Sequence, residues 1–316
     1  MKILANDGIS QSGVDALEHA GYEVITTKVA QEQLENYIND NQIDAILVRS
    51  ATQVRQDLID ACPSLKLIGR GGVGMDNIDV AYAREKGLHV INTPAASSAS
   101  VAELVFAHLF GGVRYLFDAN RNMPLDGDTK FKDLKKNYAG GLELRGKTLG
   151  IVGFGRIGQE VAKIAIGCGM TVLAHDRFVD EAAIELDFFD GQSATFNIKT
   201  VELNELLNKS DFLSLHVPAQ KDYVIGREQI AMMKDGAAII NAARGGVLDE
   251  VALVEALENK KLAFAALDTF ENEPKPAIQV LMNQKVSLSP HIGAATKEAQ
   301  DRIGTELAGQ IKDLLG

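Results

Sequence analysis

The stretch TLGIVGFGRIGQEVAKIAIGCG, residues 148–169, decides how this chain is read. An apolar strand-like run, Leu149–Val152, leads into Gly153-Phe-Gly155-Arg-Ile-Gly158, and a helical pattern of apolar residues follows. A glycine triplet alone says little, but a strand before it and a helix after it give each glycine a task. Gly153 permits the tight turn, Gly155 lets the backbone approach a pyrophosphate, and Gly158 lets helix and strand pack closely. The helix N-terminus then offers unpaired N–H groups and a partial positive charge to the anion. The next strand-like run, TVLAHD, ends in Asp176, 23 residues after Gly153. There a carboxylate accepts hydrogen bonds from an adenosine ribose and repels a 2′-phosphate, so NAD is expected rather than NADP.

Outward from this motif, short Val-, Ile- and Leu-rich runs alternate with helical patterns almost throughout. Strands are expected at 2–5, 23–26, 45–48, 65–69 and 89–92, then at 148–152, 171–175, 212–216, 237–241, 264–267 and 286–288. Continuous apolar strands between helices imply parallel sheets covered on both faces. The expected fold is α/β, with two Rossmann-like, doubly wound parallel-sheet domains and a cleft between them. A boundary is visible near residue 97, where the small, polar TPAASSAS precedes Ser100-Val-Ala-Glu103, which reads as a capping box. Apolar residues at 101, 104, 105, 109, 113, 116 and 117 predict one long helix. Residues 118–147 are polar and read as a surface excursion.

The composition limits the roles open to the chain. With 316 residues and 46% hydrophobic content it can build one large core or two ordinary ones. A net charge of −11 disfavours nucleic acid and anionic membrane as partners, though a small anionic substrate can still find a locally basic pocket. No run approaches the roughly 20 apolar residues of a membrane helix. The two cysteines, Cys62 and Cys168, show neither CxxC spacing nor a histidine cluster, so buried thiols are expected, and no metal site. A cytoplasmic protein is the simplest expectation.

Three later segments share one plan, a strand with polar residues at its carboxyl end: IINAARGGVLDE (239–250), AALDTFENEP (265–274) and SLSPHIGAAT (287–296). Ligands of open parallel sheets bind beyond those ends. Arg244, Glu273 and His291 therefore become candidates for one site. Their types suit oxidation of a 2-hydroxy acid. A histidine, with an unperturbed pKa near 6.5, can take the hydroxyl proton. A glutamate on its other ring nitrogen fixes the tautomer, and an arginine grips a carboxylate as a planar fork. Each residue alone has a plainer reading, as a capping arginine, a solvated loop acid and a turn histidine. His216, in LSLHVP, reads as positional. Arg49 and Arg70 end apolar strands, where they are either ordinary strand-end charges or the cations that a substrate phosphate needs.

The segments VRSAT, GRGGVGMDNID, NTPAASSASVAE, LRGKTLGIVGFGRIG, INAARGGVLDE, ALDTFENEP and SPHIGAATKEAQ together resemble the D-isomer-specific 2-hydroxyacid dehydrogenase family over nearly the whole chain. Within it they resemble the branch that acts on a phosphorylated 2-hydroxy acid. The resemblance implies a discontinuous substrate-binding, flavodoxin-like domain from residues 1–98 and 288–316, with an NAD-binding Rossmann domain, 99–287, inserted. It implies Arg244, Glu273 and His291 as the catalytic set. For the cofactor it adds Arg156, Ile157, Pro218, Ala242 and Asp268 to the glycines and Asp176, with Asp268 on the nicotinamide amide. For the substrate it implies backbone N–H groups of Gly72 and Val73 on the carboxylate, and Arg49, Ser50 and Arg70 nearby, Arg49 on the phosphate. It implies a homodimer formed through the helix near Ser100 and the excursion after it. HVPAQKDYVIG lacks threonines common there in the family, and the chain leaves no room after Gly316 for a regulatory domain, so serine feedback is not expected. Two alternatives stand beside this: a reductase of hydroxypyruvate or glyoxylate, and a dehydrogenase-like NAD sensor that binds protein partners.

Overall fold

The computed structural model describes residues 1–316. The chain folds into two compact units, Met1–Ser100 with Ala294–Gly316, and Val101–Gly293. The first unit is a parallel sheet of five strands, β1 (Lys2–Ala5), β2 (Glu23–Ile25), β3 (Ala45–Val48), β4 (Leu67–Arg70) and β5 (His89–Asn92), in the order β2-β1-β3-β4-β5. Helices α1 (Gln11–His19), α2 (Leu34–Asn41), α3 (Gln56–Ala61) and α4 (Val80–Glu85) connect them, and the C-terminal helix Lys297–Leu315 packs on one face. Side chains of a strand alternate between faces, and both faces here are apolar. Ile3, Ala45, Leu47 and Leu67 meet Ile303, Leu307 and Ile311 of the C-terminal helix, while Leu4, Ile46, Val48 and Ile68 meet Leu34, Ile38 and Leu58. That is why β3 is buried at every position. Where α1 crosses the C-terminal helix, a Cβ on Gly13 would lie 2.8 Å from the Cα of Gly304, so the crossing depends on paired glycines.

The second unit begins within α5 (Ser98–Val113), followed by α6 (Leu116–Asp126) and α7 (Phe131–Asn137). Its sheet has six parallel strands: β6 (Thr148–Val152), β7 (Thr171–His175), β10 (Phe212–Leu215), β11 (Ala237–Asn241), β12 (Leu262–Leu267) and β13 (Val286–Leu288). The remaining two, β8 (Glu181–Asp187) and β9 (Ser193–Lys199), pair antiparallel with each other. Helices α8 (Arg156–Gly167), α9 (Leu203–Lys209), α10 (Arg227–Met232), α11 (Glu250–Glu258) and α12 (Ile278–Leu281) complete it. The strand order β13-β12-β11-β10-β6-β7 places the reversal of winding between β6 and β10. That crevice is where such sheets bind nucleotides.

Four expectations need correction. The helix near residue 100 starts at Ser98, and no capping box forms at Ser100; its hydroxyl is 2.7 Å from that of Thr296, whose own oxygen caps the C-terminal helix. The single long helix is two, because Tyr115 turns into the left-handed region at φ 54° and the chain bends by 56°. No strand was expected between residues 175 and 212, yet β8 and β9 form a hairpin there. Ala182, Ile184 and Leu186 share one face, Glu181, Ala183, Glu185 and Asp187 the other, and Gly191, at φ 83°, supplies the turn. The second unit also runs on to Gly293 rather than stopping near 288, because the Asp268 carboxylate holds the N–H groups of Ile292 and Gly293 at 2.9 and 2.8 Å. No single helix is long and apolar enough to cross a membrane.

Candidate active site

The glycine turn after β6 has the shape that a dinucleotide requires. Gly153 sits at φ 95°, and a Cβ there would lie 2.6 Å from the His216 carbonyl. A Cβ on Gly158 would come within 2.2 Å of the Gly153 oxygen, so α8 packs against the turn only without one. At Gly155 the space is open, and this residue caps α8 with no side chain, leaving the first N–H groups of the helix to a ligand. Arg156 is exposed and Ile157 half-buried in that first turn. Asp176 follows β7; its carboxylate accepts from the N–H of Phe154 at 2.6 Å and of Phe178 at 2.8 Å. The acid is thereby pinned to the glycine turn, at the place where a ribose would meet it. Ala242, buried just after β11, and the exposed Pro218 stand beyond the ends of neighbouring strands. These residues fit NAD.

At the carboxyl end of the same sheet, His291 and Glu273 come together. The imidazole Nδ1 lies 2.8 Å from Glu273 Oε2. A carboxylate can only accept, so Nδ1 carries the proton and the neutral ring keeps Nε2 as a free base. Glu273 is held by its own loop, where Oε1 accepts from the Phe270 N–H at 3.0 Å. His291 lies in the left-handed region at φ 54°, which is uncommon outside glycine. Its N–H donates to the Ser289 carbonyl at 3.1 Å, and the Asp268 carboxylate takes the two N–H groups that follow His291. The conformation that aims the imidazole is thus fixed from both sides.

Arg244 belongs to the loop after β11. Its carbonyl accepts from Asn241 Nδ2 at 3.0 Å, and Asn241 Oδ1 takes the Ala243 N–H at 3.1 Å. A Cβ on Gly245 would overlap the Phe270 carbonyl, so only glycine lets the arginine loop lie against the Glu273 loop. Around them sits an acidic pair. Glu250 accepts from the Glu271 N–H at 2.8 Å and Glu271 from the Glu250 N–H at 2.9 Å. Burial raises the Glu250 carboxyl above its ordinary range, opposed by the Glu271 N–H and reinforced by the charges of Glu271 and Glu273.

In the first unit the expected substrate residues also gather. Arg49 follows β3, its N–H held by Asp7 at 2.7 Å and its carbonyl by Asn77 at 2.8 Å. A Cβ on Gly71 would lie 3.7 Å from Arg49 Cγ, and one on Gly72 would overlap the Arg70 guanidinium. Arg49 and Arg70 thus flank the same glycine loop, with Ser50 and Val73 exposed beside it. For Gly72 the expected role meets an obstacle, since its N–H is already given to the Arg70 carbonyl at 2.9 Å.

Two histidines complete the picture. His216 Nε2 is 2.7 Å from the Ser214 hydroxyl, and burial pushes its pKa down to about 3. Its ring therefore stays neutral near pH 7. His108 was overlooked. It lies on the buried face of α5, with Nδ1 and Nε2 each 2.8 Å from a serine hydroxyl, those of Ser287 and Ser289. A histidine inside an apolar helical stripe is itself a signal, because a buried polar group needs partners.

Comparison with known proteins identifies the family. The model of the family described as D-isomer specific 2-hydroxyacid dehydrogenase, NAD binding domain, matches residues 106–293. The chain is 42% identical over its whole length to a D-3-phosphoglycerate dehydrogenase of Methanocaldococcus jannaschii, covering 57% of that protein. It is 41% identical to a hydroxypyruvate reductase of Thermotoga maritima, covering 100% of this chain and 98% of the other. Among solved structures, a glyoxylate reductase from Paecilomyes thermophila superposes with a TM-score of 0.82 at 31% identity, covering 100% and 95% of the two chains. The chain spans little more than half the length of the phosphoglycerate dehydrogenases it matches. The chain belongs to the D-isomer specific 2-hydroxyacid dehydrogenase family and carries its NAD-binding domain.

Proposed function

We propose that this chain is an NAD-dependent dehydrogenase that interconverts D-3-phosphoglycerate and 3-phosphohydroxypyruvate, the entry step to serine synthesis. The observation that carries the dehydrogenase chemistry is the His291–Glu273 pair, 2.8 Å apart, at the carboxyl end of the sheet that bears the glycine turn. In oxidation His291 Nε2 takes the hydroxyl proton, and Glu273 stabilises the imidazolium that results. In reduction the same nitrogen returns the proton to the carbonyl oxygen. Bound NAD supplies the hydride acceptor. Arg244 binds the substrate carboxylate, and Arg49, which follows β3 beside the glycine loop, binds the phosphate.

A reductase of hydroxypyruvate or glyoxylate is the second reading. The near-equal identity to the hydroxypyruvate reductase, 41% against 42%, favours it enough to be tested alongside. A homodimer fits the row of exposed apolar side chains on α5, α6 and α7, among them Phe110, Leu116, Leu125 and Phe131.

The test is NADH consumption with 3-phosphohydroxypyruvate, hydroxypyruvate, glyoxylate, pyruvate and 2-oxoglutarate, for wild type and Arg49→Ala. Preference for the phosphorylated acid, lost in the variant, supports the first reading. Better use of hydroxypyruvate or glyoxylate, indifferent to Arg49, transfers the protein to the reductase reading. Binding of NADH without turnover of any acid overturns both.

A further inference from the structure

Asp268 is buried, and its carboxylate is shared by three donors from one segment. Oδ1 accepts from the Ser289 hydroxyl at 2.6 Å and the Ile292 N–H at 2.9 Å, and Oδ2 accepts from the Gly293 N–H at 2.8 Å. These contacts bracket His291. The Ser289 hydroxyl has a single proton, and it points at Asp268. Toward His108 Nε2, 2.8 Å away, Ser289 must therefore accept. That fixes His108 as the Nε2–H tautomer, with Nδ1 accepting from the Ser287 hydroxyl at 2.8 Å. Each hydrogen in the chain of bonds has one acceptor, and none is left unpaired. Bonds linked in this way in a covered site polarise one another and hold a single arrangement.

We propose that His108 is a positioning residue for the reaction: its Nε2–H holds the Ser289 hydroxyl on Asp268, and Asp268 in turn holds the backbone that presents His291. The proposal rests on the reading of His291 as the acid–base group. His108 itself reaches neither the reacting atoms nor the Glu273 carboxylate. It comes from α5, and the rest of the network from the ends of β12 and β13. The helix thereby fixes the left-handed turn at His291 from behind.

Side-chain geometry separates this role from general packing. In His108→Gln the amide nitrogen stands where Nε2 stood and can still donate to Ser289. In His108→Asn the shorter side chain reaches only the Nδ1 position, beside Ser287. The experiment measures kcat and KM with NADH and the preferred 2-oxo acid, together with amide hydrogen exchange of Ile292 and Gly293, for wild type, His108→Gln, His108→Asn, Ser289→Ala and Ser287→Ala. The tautomer of wild-type His108 is read from its imidazole nitrogen NMR shifts.

Misplacing a catalytic group by about 1 Å can cost on the order of 100-fold, so His108→Asn and Ser289→Ala should lower kcat by about tenfold or more. Exchange at Ile292 and Gly293 should quicken by a similar factor in those two variants. KM should change less than about threefold, because the substrate-binding arginines are untouched. His108→Gln and Ser287→Ala should stay near wild type in every readout. Equal kcat and exchange in His108→Gln and His108→Asn would overturn the proposal, and so would an Nδ1–H tautomer. If the histidine variants fail to fold, the contrast between Ser289→Ala and Ser287→Ala decides it. If wild type reduces no 2-oxo acid, the acid–base reading fails, whereas the tautomer and the exchange rates still report on the network.

Discussion

At the scale of the residue, His291 combines a base and a strained backbone. A left-handed conformation at a non-glycine residue costs on the order of 1–3 kcal/mol and persists only where its surroundings impose it. Here Asp268 and the Ser289 carbonyl impose it. Asparagine is among the few residues that accept this region readily. His291→Asn should therefore keep the loop and the fold while removing the base. The expected outcome is unchanged NADH affinity by fluorescence titration and a kcat lower by about 100- to 10,000-fold. Turnover close to wild type would remove His291 from the chemistry.

At the scale of the element, the β8–β9 hairpin is the part of the second unit with no counterpart among the expected strands. Its inner face is anchored by Ile184, which is fully buried against the core, while Phe188 and Phe189 at the tip are exposed. Truncating a buried isoleucine leaves a cavity in addition to the lost transfer energy. Ile184→Ala should therefore lower stability by about 2–5 kcal/mol. Phe189→Ala removes little buried surface and should stay within about 0.5 kcal/mol. Urea denaturation of the two variants checks this, and equal losses would mean that the tip packs against something in solution. The sequence carries the signs of this hairpin, Ala182, Ile184 and Leu186 at a two-residue spacing and the Asp190-Gly191 turn, but Ala183 interrupts the polar alternation of β8, and a two-residue period over so short a run is a weak signal.

At the scale of the whole molecule, buried imidazoles tie stability to pH. His216 keeps a little exposed surface as a residue, but its Nδ1 is fully covered and unpaired, so the ring resists charging. Its folded pKa of about 3 lies below the ordinary histidine value of 6.5. As pH falls through 6.5 the unfolded chain binds a proton that the folded chain refuses until about pH 3. Stability is thus fully present above pH 6.5 and declines below it, by at most about 1.4 kcal/mol per pH unit from this group. Burial lowers the pKa of His108 as well, which adds to the same trend. Unfolding free energies measured from pH 7 to pH 4 should fall, and His216→Gln should flatten part of that slope. An unchanged slope would mean that the ring is reached by water.

The parallel-sheet architecture, the nucleotide turn and the types of the candidate acid–base and carboxylate-binding residues are legible in the amino-acid order alone. These are local facts. Strand periodicity, the sterics of a glycine turn and the chemistry of Arg244, Glu273 and His291 are all present within a few residues of chain. The sequence also brought the three candidates to strand ends, where the topology of any such sheet places its ligands. Only the tertiary structure decided what passes between segments far apart in the chain. It paired His291 with Glu273 and gave the Asp268 carboxylate to the loop at 289–293. It turned Ser100 toward Thr296, and set His108 over two serines about 180 residues away. The reason is that a hydrogen bond depends on positions in space. Each of these donors and acceptors has several partners that the sequence would allow, and packing leaves it one.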